Sequence, residues 1–265
     1  MTATPLNNKL DTLRARMEAL QPGLIAVSGG LDSRLLLHLS SLWSLDFQIV
    51  HAMGPHQSPL EQRQTLTLFK LHSVFPRLVR FDPLSIPEVR TNNRERCYLC
   101  KKTLFNKFLE FAAPDSRNVL DGTQHDDLAT HRPGHKALKQ LAVQSPLAWA
   151  GMTKNDIREA ALCLDLPDPN QPSRACLLTR FPYDHGINLS DLTAVGRVED
   201  GLWALGLRRF RFRITGRKAN LLQIHPEEEV LWQNEQKKVL DLVAANDLDP
   251  FEVSATPNMS GYFDT

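Results

Sequence analysis

Six consecutive residues, Ser28-Gly29-Gly30-Leu31-Asp32-Ser33, have the types needed to hold a polyphosphate. Two adjacent glycines let the backbone turn its amides inward with no Cβ in the way, which makes an anion nest. Ser28 and Ser33 can donate hydroxyl hydrogen bonds, and Asp32 can hold a magnesium ion that neutralises the phosphates. The Lys-Ser/Thr pair of the common nucleoside triphosphatase loop is missing after the second glycine. Sulfur forms a second set. Cys97 and Cys100 are spaced C-x-x-C, which puts both thiols on one side of a turn, and Cys176 stands alone in Arg174-Ala175-Cys176. Three converging sulfurs suit an iron-sulfur cluster with one open iron, or a zinc whose fourth ligand comes from elsewhere. The same residues are compatible with a redox pair or a partial structural zinc site. Cys163, on an apolar helical background, reads as a small buried hydrophobe. A third set is cationic: Arg209, Arg211 and Arg213 alternate with Phe210, Phe212 and Ile214, giving a strand one charged and one apolar face. Guanidinium groups there could clamp phosphate or carboxylate, although the pattern by itself favours a solvated strand face.

These groups need elements to position them. Leu10, Leu13, Met17 and Leu20 give residues 8–20 the spacing of an amphipathic helix. Leu24–Val27 is a short buried strand that runs into the glycine loop, and Arg34–Trp43 is a Leu-rich helix, so the loop joins strand to helix. A helix start at this point adds its positive dipole end to the nest. Phe47–Ala52 makes a second strand. Ser58, Pro59 and Glu61 then supply the cap, first-turn proline and capping-box acid of a helix towards Phe75. Strands at Leu78–Phe81 and Asn118–Asp121 alternate with helices at Lys101–Ala113 and Thr153–Leu164. Such alternation predicts an α/β fold, a parallel sheet with helices on both faces. Three prolines within residues 166–173 mark a linker, so residues 1–170 form one domain and 171–265 a smaller α+β domain. The latter holds a helix at Ser190–Leu205, paired strands at Arg209–Ile214 and Ala219–Ile224, a helix at Pro226–Ala244 and a loose tail from Pro257.

Composition narrows the partners. With 265 residues, 42% hydrophobic and 23% charged, the chain can bury a substantial core. Its formal charge of +1 lacks the field of a polyanion-coating protein, which argues against nucleic acid as a partner. Apolar runs stop well short of the roughly 20 residues of a membrane helix, and the polar opening lacks the order of a secretory signal. A cytoplasmic location without a membrane partner is expected, with the thiols reduced.

The loop resembles the SGGxDS signature of the PP-loop ATP pyrophosphatases. The run Arg96-Cys97-Tyr98-Leu99-Cys100-Lys101, then Asp121-Gly122-Thr123, Asp126-Asp127-Leu128, Arg132-Pro133-Gly134, Ala175-Cys176-Leu177 and Thr179-Arg180-Phe181-Pro182-Tyr183, is similar to the LarE-like ATP-dependent sulfur transferases. That family matures the nickel-pincer cofactor of lactate racemase. The resemblance implies an adenine nucleotide α-hydrolase-like fold and ATP cleavage between the α and β phosphates. ATP and Mg2+ would sit on Ser28, Gly29, Gly30, Asp32 and Ser33, adenine near Met53, and the nucleotide against Asp121 and Gly122, at a strand end facing the ligand crevice. It further implies that Cys176 handles the sulfur, either sacrificed as dehydroalanine or joined by Cys97 and Cys100 as ligands of a 4Fe-4S cluster; with all three cysteines present, the iron-sulfur subtype is the one expected. Lys101 could direct positive charge to phosphate or thiolate, or be a solvated lysine. Arg180, Arg211 and Arg213 would bind a small anionic acceptor, a sulfur donor would recharge the site, and the assembly would be a homo-oligomer.

Departures from the family pattern fall where the family handles its acceptor or a divalent metal: Thr130 and His131 replace Asp-Tyr, Ala219-Asn220-Leu221-Leu222 replaces Ala-Arg-Ile-Glu, and the C-terminal tail has no arginine. Two rivals differ in class. One is a PP-loop enzyme thiolating tRNA, for which only the basic cluster at 208–218 is available. The other is a non-catalytic adenine-nucleotide sensor with a structural zinc at Cys97 and Cys100. A metal site of His125, His131 and His135 is set aside, because Pro133 and Gly134 should interrupt a helix carrying the last two.

Overall fold

The computed structural model describes residues 5–129 and 133–264. Two compact units are formed. The first takes the chain up to Met53 together with Gln64–Phe81 and Cys97–Ser173; the second takes Gly54–Arg63, Asp82–Arg96 and Arg174 onward. The second unit therefore also draws on two stretches well before residue 171.

The first unit begins with α1 (Pro5–Ala19), β1 (Gly23–Ala26), α2 (Leu31–Leu42), β2 (Phe47–Met53), the C-terminal part of α3 (Pro59–Leu71) and β3 (Arg77–Arg80). The short α4 (Pro87–Arg90) belongs to the second unit. The first resumes in α5 (Arg96–Ala112), β4 (Asn118–Leu120), α6 (His125–Leu128), α7 (Pro133–Gln140), α8 (Pro146–Trp149) and α9 (Lys154–Cys163). Its four strands lie in the order β3-β2-β1-β4, with every pair parallel. This is the parallel α/β sheet that the alternation of elements predicts.

Local sequence explains the details. Leu31, Leu35, Leu36, Leu37 and Leu39 are all buried, and with Ser33, Arg34 and Ser40 also buried α2 is covered on most sides and packs into the core with Ile157, Ala160 and Ala161 of α9. α9 starts at a reciprocal cap: Thr153 N–H donates to Asp156 Oδ2 at 2.7 Å, and Asp156 N–H donates to Thr153 Oγ1 at 3.3 Å. α3 carries the expected Ser58/Glu61 cap, but stops at Leu71 rather than reaching Phe75. Ser73 adopts φ 50°, Val74 N–H closes onto the Phe69 carbonyl at 2.9 Å, and Phe75 is left 96% exposed. The segment read as a linker is docked: Leu166 is buried in the core, and the buried Arg34 donates to Gln171 Oε1 at 2.6 Å and to the Pro167 carbonyl.

The second unit has α10 (Leu189–Ala204), β5 (Phe210–Arg213), β6 (Asn220–Ile224), α11 (Glu229–Ala244) and β7 (Phe251–Ala255). β5 and β6 pair as expected, and they run antiparallel. β7, which the sequence reading leaves out, adds parallel to β6. Among the described residues, no helix is long and apolar enough to cross a membrane.

Candidate functional site

In the first unit, β1 ends as Val27 N–H donates to the Val50 carbonyl, and the chain turns through residues 28–30 into α2. Gly29 has φ 92°, and a Cβ there would lie 2.2 Å from Thr65 Oγ1, so both conformation and space demand glycine. Ser33 braces the turn from inside: its hydroxyl accepts from Ser28 N–H at 3.1 Å and donates to the Gly30 carbonyl at 3.0 Å. Gly30 is the helix cap and offers no side-chain acceptor, so the first amides of α2 lack the usual cap. A polyphosphate fits this cradle, because an anion supplies the acceptors that the sequence withholds.

Gly122, just beyond β4, packs against the loop; a Cβ there would sit 3.0 Å from Ser33 N. Asp121, 5% exposed, is a scaffold of this floor. Its carboxylate accepts from Thr123 Oγ1 at 2.6 Å, Ser145 Oγ at 2.7 Å and Thr123 N–H at 3.2 Å, and faces Lys101 Nζ at 3.9 Å. Lys101 thus faces Asp121. Met53 ends β2, half-buried, with its carbonyl accepting from Phe81 N–H at 2.9 Å.

Asp32 is not isolated. Lys154 at the start of α9 places its Nζ 2.5 Å from Asp32 Oδ1, and both side chains are about a quarter exposed. A carboxylate on a phosphate loop is the donor type that a magnesium ion takes, so the residues fit the ion once the lysine yields.

Cys97 and Cys100 lie inside α5 and not ahead of it, because the helix begins at Arg96. At i and i+3 they still share one side; Cys97 is exposed and Cys100 half-buried. Cys163 corrects the expectation of a buried thiol: it is the last residue of α9 and is exposed. Pro133 and Gly134 also differ from expectation. They open α7 rather than interrupting a helix, proline being favoured at a first helical position. Thr130, His131 and Arg132 lie outside the described residues.

In the second unit, half-buried Cys176 caps a 3-10 turn, Leu177–Arg180, and its carbonyl accepts from Thr179 N–H and Oγ1 at 2.9 and 2.8 Å. Arg180 is only 1% exposed. Its Nε and Nη2 donate to the two oxygens of Glu199 at 2.6 and 3.0 Å. Burial alone would raise the Glu199 carboxyl, yet Arg180 outweighs it and holds the group below the usual range. β5 does not show a solvated cationic face. Arg213 is buried, donating to Gln223 Oε1 at 2.5 Å, to the Thr179 carbonyl at 3.1 Å and to the Met259 carbonyl, beneath the rings of Tyr262 and Phe263. Arg211 lines a cleft with Glu61, Arg174, Trp203 and Arg208. Burial lowers the Arg211 and Arg213 guanidinium pKa values to about 10 each. Arg174 and Arg208 both stack on Trp203, at 3.7 and 4.2 Å from the ring centre.

Among the described residues, no three His, Cys, Asp or Glu side chains form a group that could hold a metal ion. Cys97 and Cys100 belong to the first unit and Cys176 to the second, so neither unit by itself holds all three thiols.

No family model matches the chain. It is 32% identical over 225 residues to the uncharacterized protein slr1717 of Synechocystis sp., covering 84% of each chain. The uncharacterized protein MJ0830 of Methanocaldococcus jannaschii is 32% identical over 180 residues, 68% of each chain. The chain belongs to the family of these two proteins. It is also similar to the pyridinium-3,5-bisthiocarboxylic acid mononucleotide synthase of Lactiplantibacillus plantarum, 29% identical over 211 residues, 78% of this chain and 76% of that one. That similarity supports the sulfur-transferase resemblance carried by the motifs.

Within this family member, the sequence reading misses Lys154, Ser145 and Thr65. Lys154 follows a capping threonine, a placement that signals only a helix start. Ser145 and Thr65 act through folding contacts that no local pattern encodes.

Proposed function

We propose that the chain is an ATP-dependent sulfur transferase of cofactor biosynthesis that converts a carboxylate of a small anionic acceptor to a thiocarboxylate. The acceptor would be of the pyridinium-3,5-biscarboxylic acid mononucleotide type. One observation carries this reading: an uncapped, glycine-turned anion cradle opens α2 in a chain similar to a bisthiocarboxylic acid mononucleotide synthase.

A carboxylate oxygen of the acceptor attacks the α-phosphorus of ATP, and pyrophosphate leaves into the cradle formed by the loop amides, Ser28 and Ser33. Magnesium, when held by Asp32, neutralises the polyphosphate. Met53 lies towards adenine, while Asp121 keeps Gly122 and Lys101 in place. The product is an acyl adenylate, whose AMP is a far better leaving group than oxide. Sulfur then attacks the acyl carbon, and AMP departs with the former carboxylate oxygen. In the sacrificial route, the Cys176 thiolate forms a thioester; loss of its α-proton and cleavage of its Cβ–S bond release the thiocarboxylate and leave dehydroalanine. A 4Fe-4S cluster held by Cys97, Cys100 and Cys176 would instead supply a sulfide. Arg211 is the acceptor-facing cation, whereas Arg180 and Arg213 position it through Glu199 and β5. We place the enzyme in the cytoplasm, where its four free cysteines stay reduced, as a homo-oligomer served by a separate sulfur donor.

The test is anaerobic purification with iron and sulfide analysis, followed by turnover with ATP and the biscarboxylated mononucleotide. Expected products are AMP, pyrophosphate and an acceptor in which sulfur replaces oxygen. Iron with an intact Cys176 peptide supports the cluster route, and a Cys176 peptide lacking sulfur supports sacrifice. Absence of pyrophosphate would instead point to a nucleotide sensor.

A further inference from the structure

The ion pair between Lys154 and Asp32 lies on the phosphate loop itself. Lys154 is held firmly from its backbone: Thr153 and Asp156 cap its helix, and its N–H donates to Asp126 Oδ2 at 2.9 Å. From that anchored position its ammonium spans to Asp32 Oδ1 at 2.5 Å. Asp156, which fixes the cap, is itself paired with Lys9 at 2.6 Å. The loop's carboxylate is thereby paired with a lysine anchored at its backbone, whose long side chain gives the ammonium reach.

We propose that Lys154 is a counter-ion switch for the nucleotide site, occupying Asp32 while the site is empty and passing to a phosphate oxygen when a magnesium-bound polyphosphate arrives. The inference rests on reading the loop as a nucleotide site. Charge accounting makes the exchange reasonable. A divalent cation and an ammonium compete for one carboxylate, so the cation alone binds poorly. A polyphosphate brings several negative oxygens, gives the displaced lysine a new partner and removes the competition. Cation and phosphate binding are thus coupled through one side chain.

Two substitutions with opposite signs test this. In the nucleotide-free Lys154→Gln protein, Asp32 loses its partner, and Mn2+ binding, read by the electron paramagnetic resonance of free ion, should tighten about threefold or more. Pyrophosphate with Mg2+, titrated calorimetrically, should bind about tenfold or more weakly, and Lys154→Arg should recover most of that loss. Asp32→Asn gives the mirror image: with no divalent cation present, pyrophosphate should bind tighter than to the wild type, because the lysine is released. Variants are compared once melting curves show them folded, and either one alone decides the matter. Unchanged pyrophosphate affinity in Lys154→Gln, a parallel weakening of Mn2+ and pyrophosphate, or no gain in Asp32→Asn would overturn the switch. A wild-type protein that binds neither ATP nor pyrophosphate would overturn the nucleotide reading itself.

Discussion

At the glycine loop the positive character comes from backbone amides and a helix start, with Asp32 paired to Lys154. In the arginine-rich part of the second unit it comes from whole guanidinium groups taken out of water and fastened before any ligand arrives: Arg180 on Glu199, and Arg213 on Gln223 and two carbonyls. The first region leaves the start of α2 without a side-chain cap, and the second uses most of its charge to hold itself together. A change at the loop should therefore be felt first in binding, and a change among the arginines first in folding.

The largest expected effect breaks the second region. Glu199→Ala leaves Arg180 charged and almost wholly buried with its main partner gone, which should cost about 3–5 kcal/mol in chemical denaturation. A loss below about 1 kcal/mol would mean that the arginine cluster is not the self-bracing structure described. At the loop, Gly29→Ala forces a side chain into φ 92° and against Thr65 Oγ1, costing about 1–3 kcal/mol and removing most ATP affinity. Adding Thr65→Ala sharpens the point. It clears the contact without curing the conformation, so stability should recover in part while ATP binding, measured by calorimetry, stays weak. Arg211→Met removes a guanidinium whose burial pulls its pKa to about 10, so its charge is costly to the empty protein. Stability should shift by about 1 kcal/mol or less, while the KM for the acceptor rises; unchanged acceptor kinetics would remove Arg211 from the site.

The smallest effect is a pH dependence. His51 on β2 is 1% exposed, its Nδ1–H donating to the Val27 carbonyl at 2.7 Å just ahead of the loop. Burial holds its pKa below the ordinary 6.5, so the unfolded chain takes up a proton near that value while the folded protein does not. Its contribution to stability is therefore lost as pH falls through about 6.5. His38 and His72 shift in the same direction, so the comparison must be made between proteins. Between pH 7 and 5.5 the wild type should lose about 1 kcal/mol more than His51→Phe. Equal losses would show that the ring titrates normally in the folded state.

These contrasts also show what a single sequence can disclose. The loop was legible because glycine, serine and aspartate between a buried strand and a helix express a backbone requirement locally. The parallel sheet follows from the alternation of strands and helices, and the strand at β5 from alternating residues, whereas the antiparallel direction of the β5–β6 pair is set by the fold. α5 starts five residues ahead of the expected Lys101, because Arg96 is anchored by Asn92 Oδ1 at 2.5 Å and lies over the ring of Tyr183, a partner far along the chain. β7 escaped because its Phe-Glu-Val-Ser pattern is short and mostly exposed, and gains its order from β6. The Arg209–Arg213 alternation suggested an outward cationic face, but Tyr262 and Phe263, some 50 residues later, cover Arg213. Lys154 was invisible for the same reason: its partner Asp32 is 122 residues away.

The fate of ATP on the protein decides whether the glycine loop drives adenylation. With magnesium and the biscarboxylated mononucleotide present, the account predicts AMP and pyrophosphate in equal amounts, matched by thiocarboxylate formed, and none of the three from Gly29→Ala. Release of ADP and inorganic phosphate instead, or thiocarboxylate formed without ATP, would contradict it.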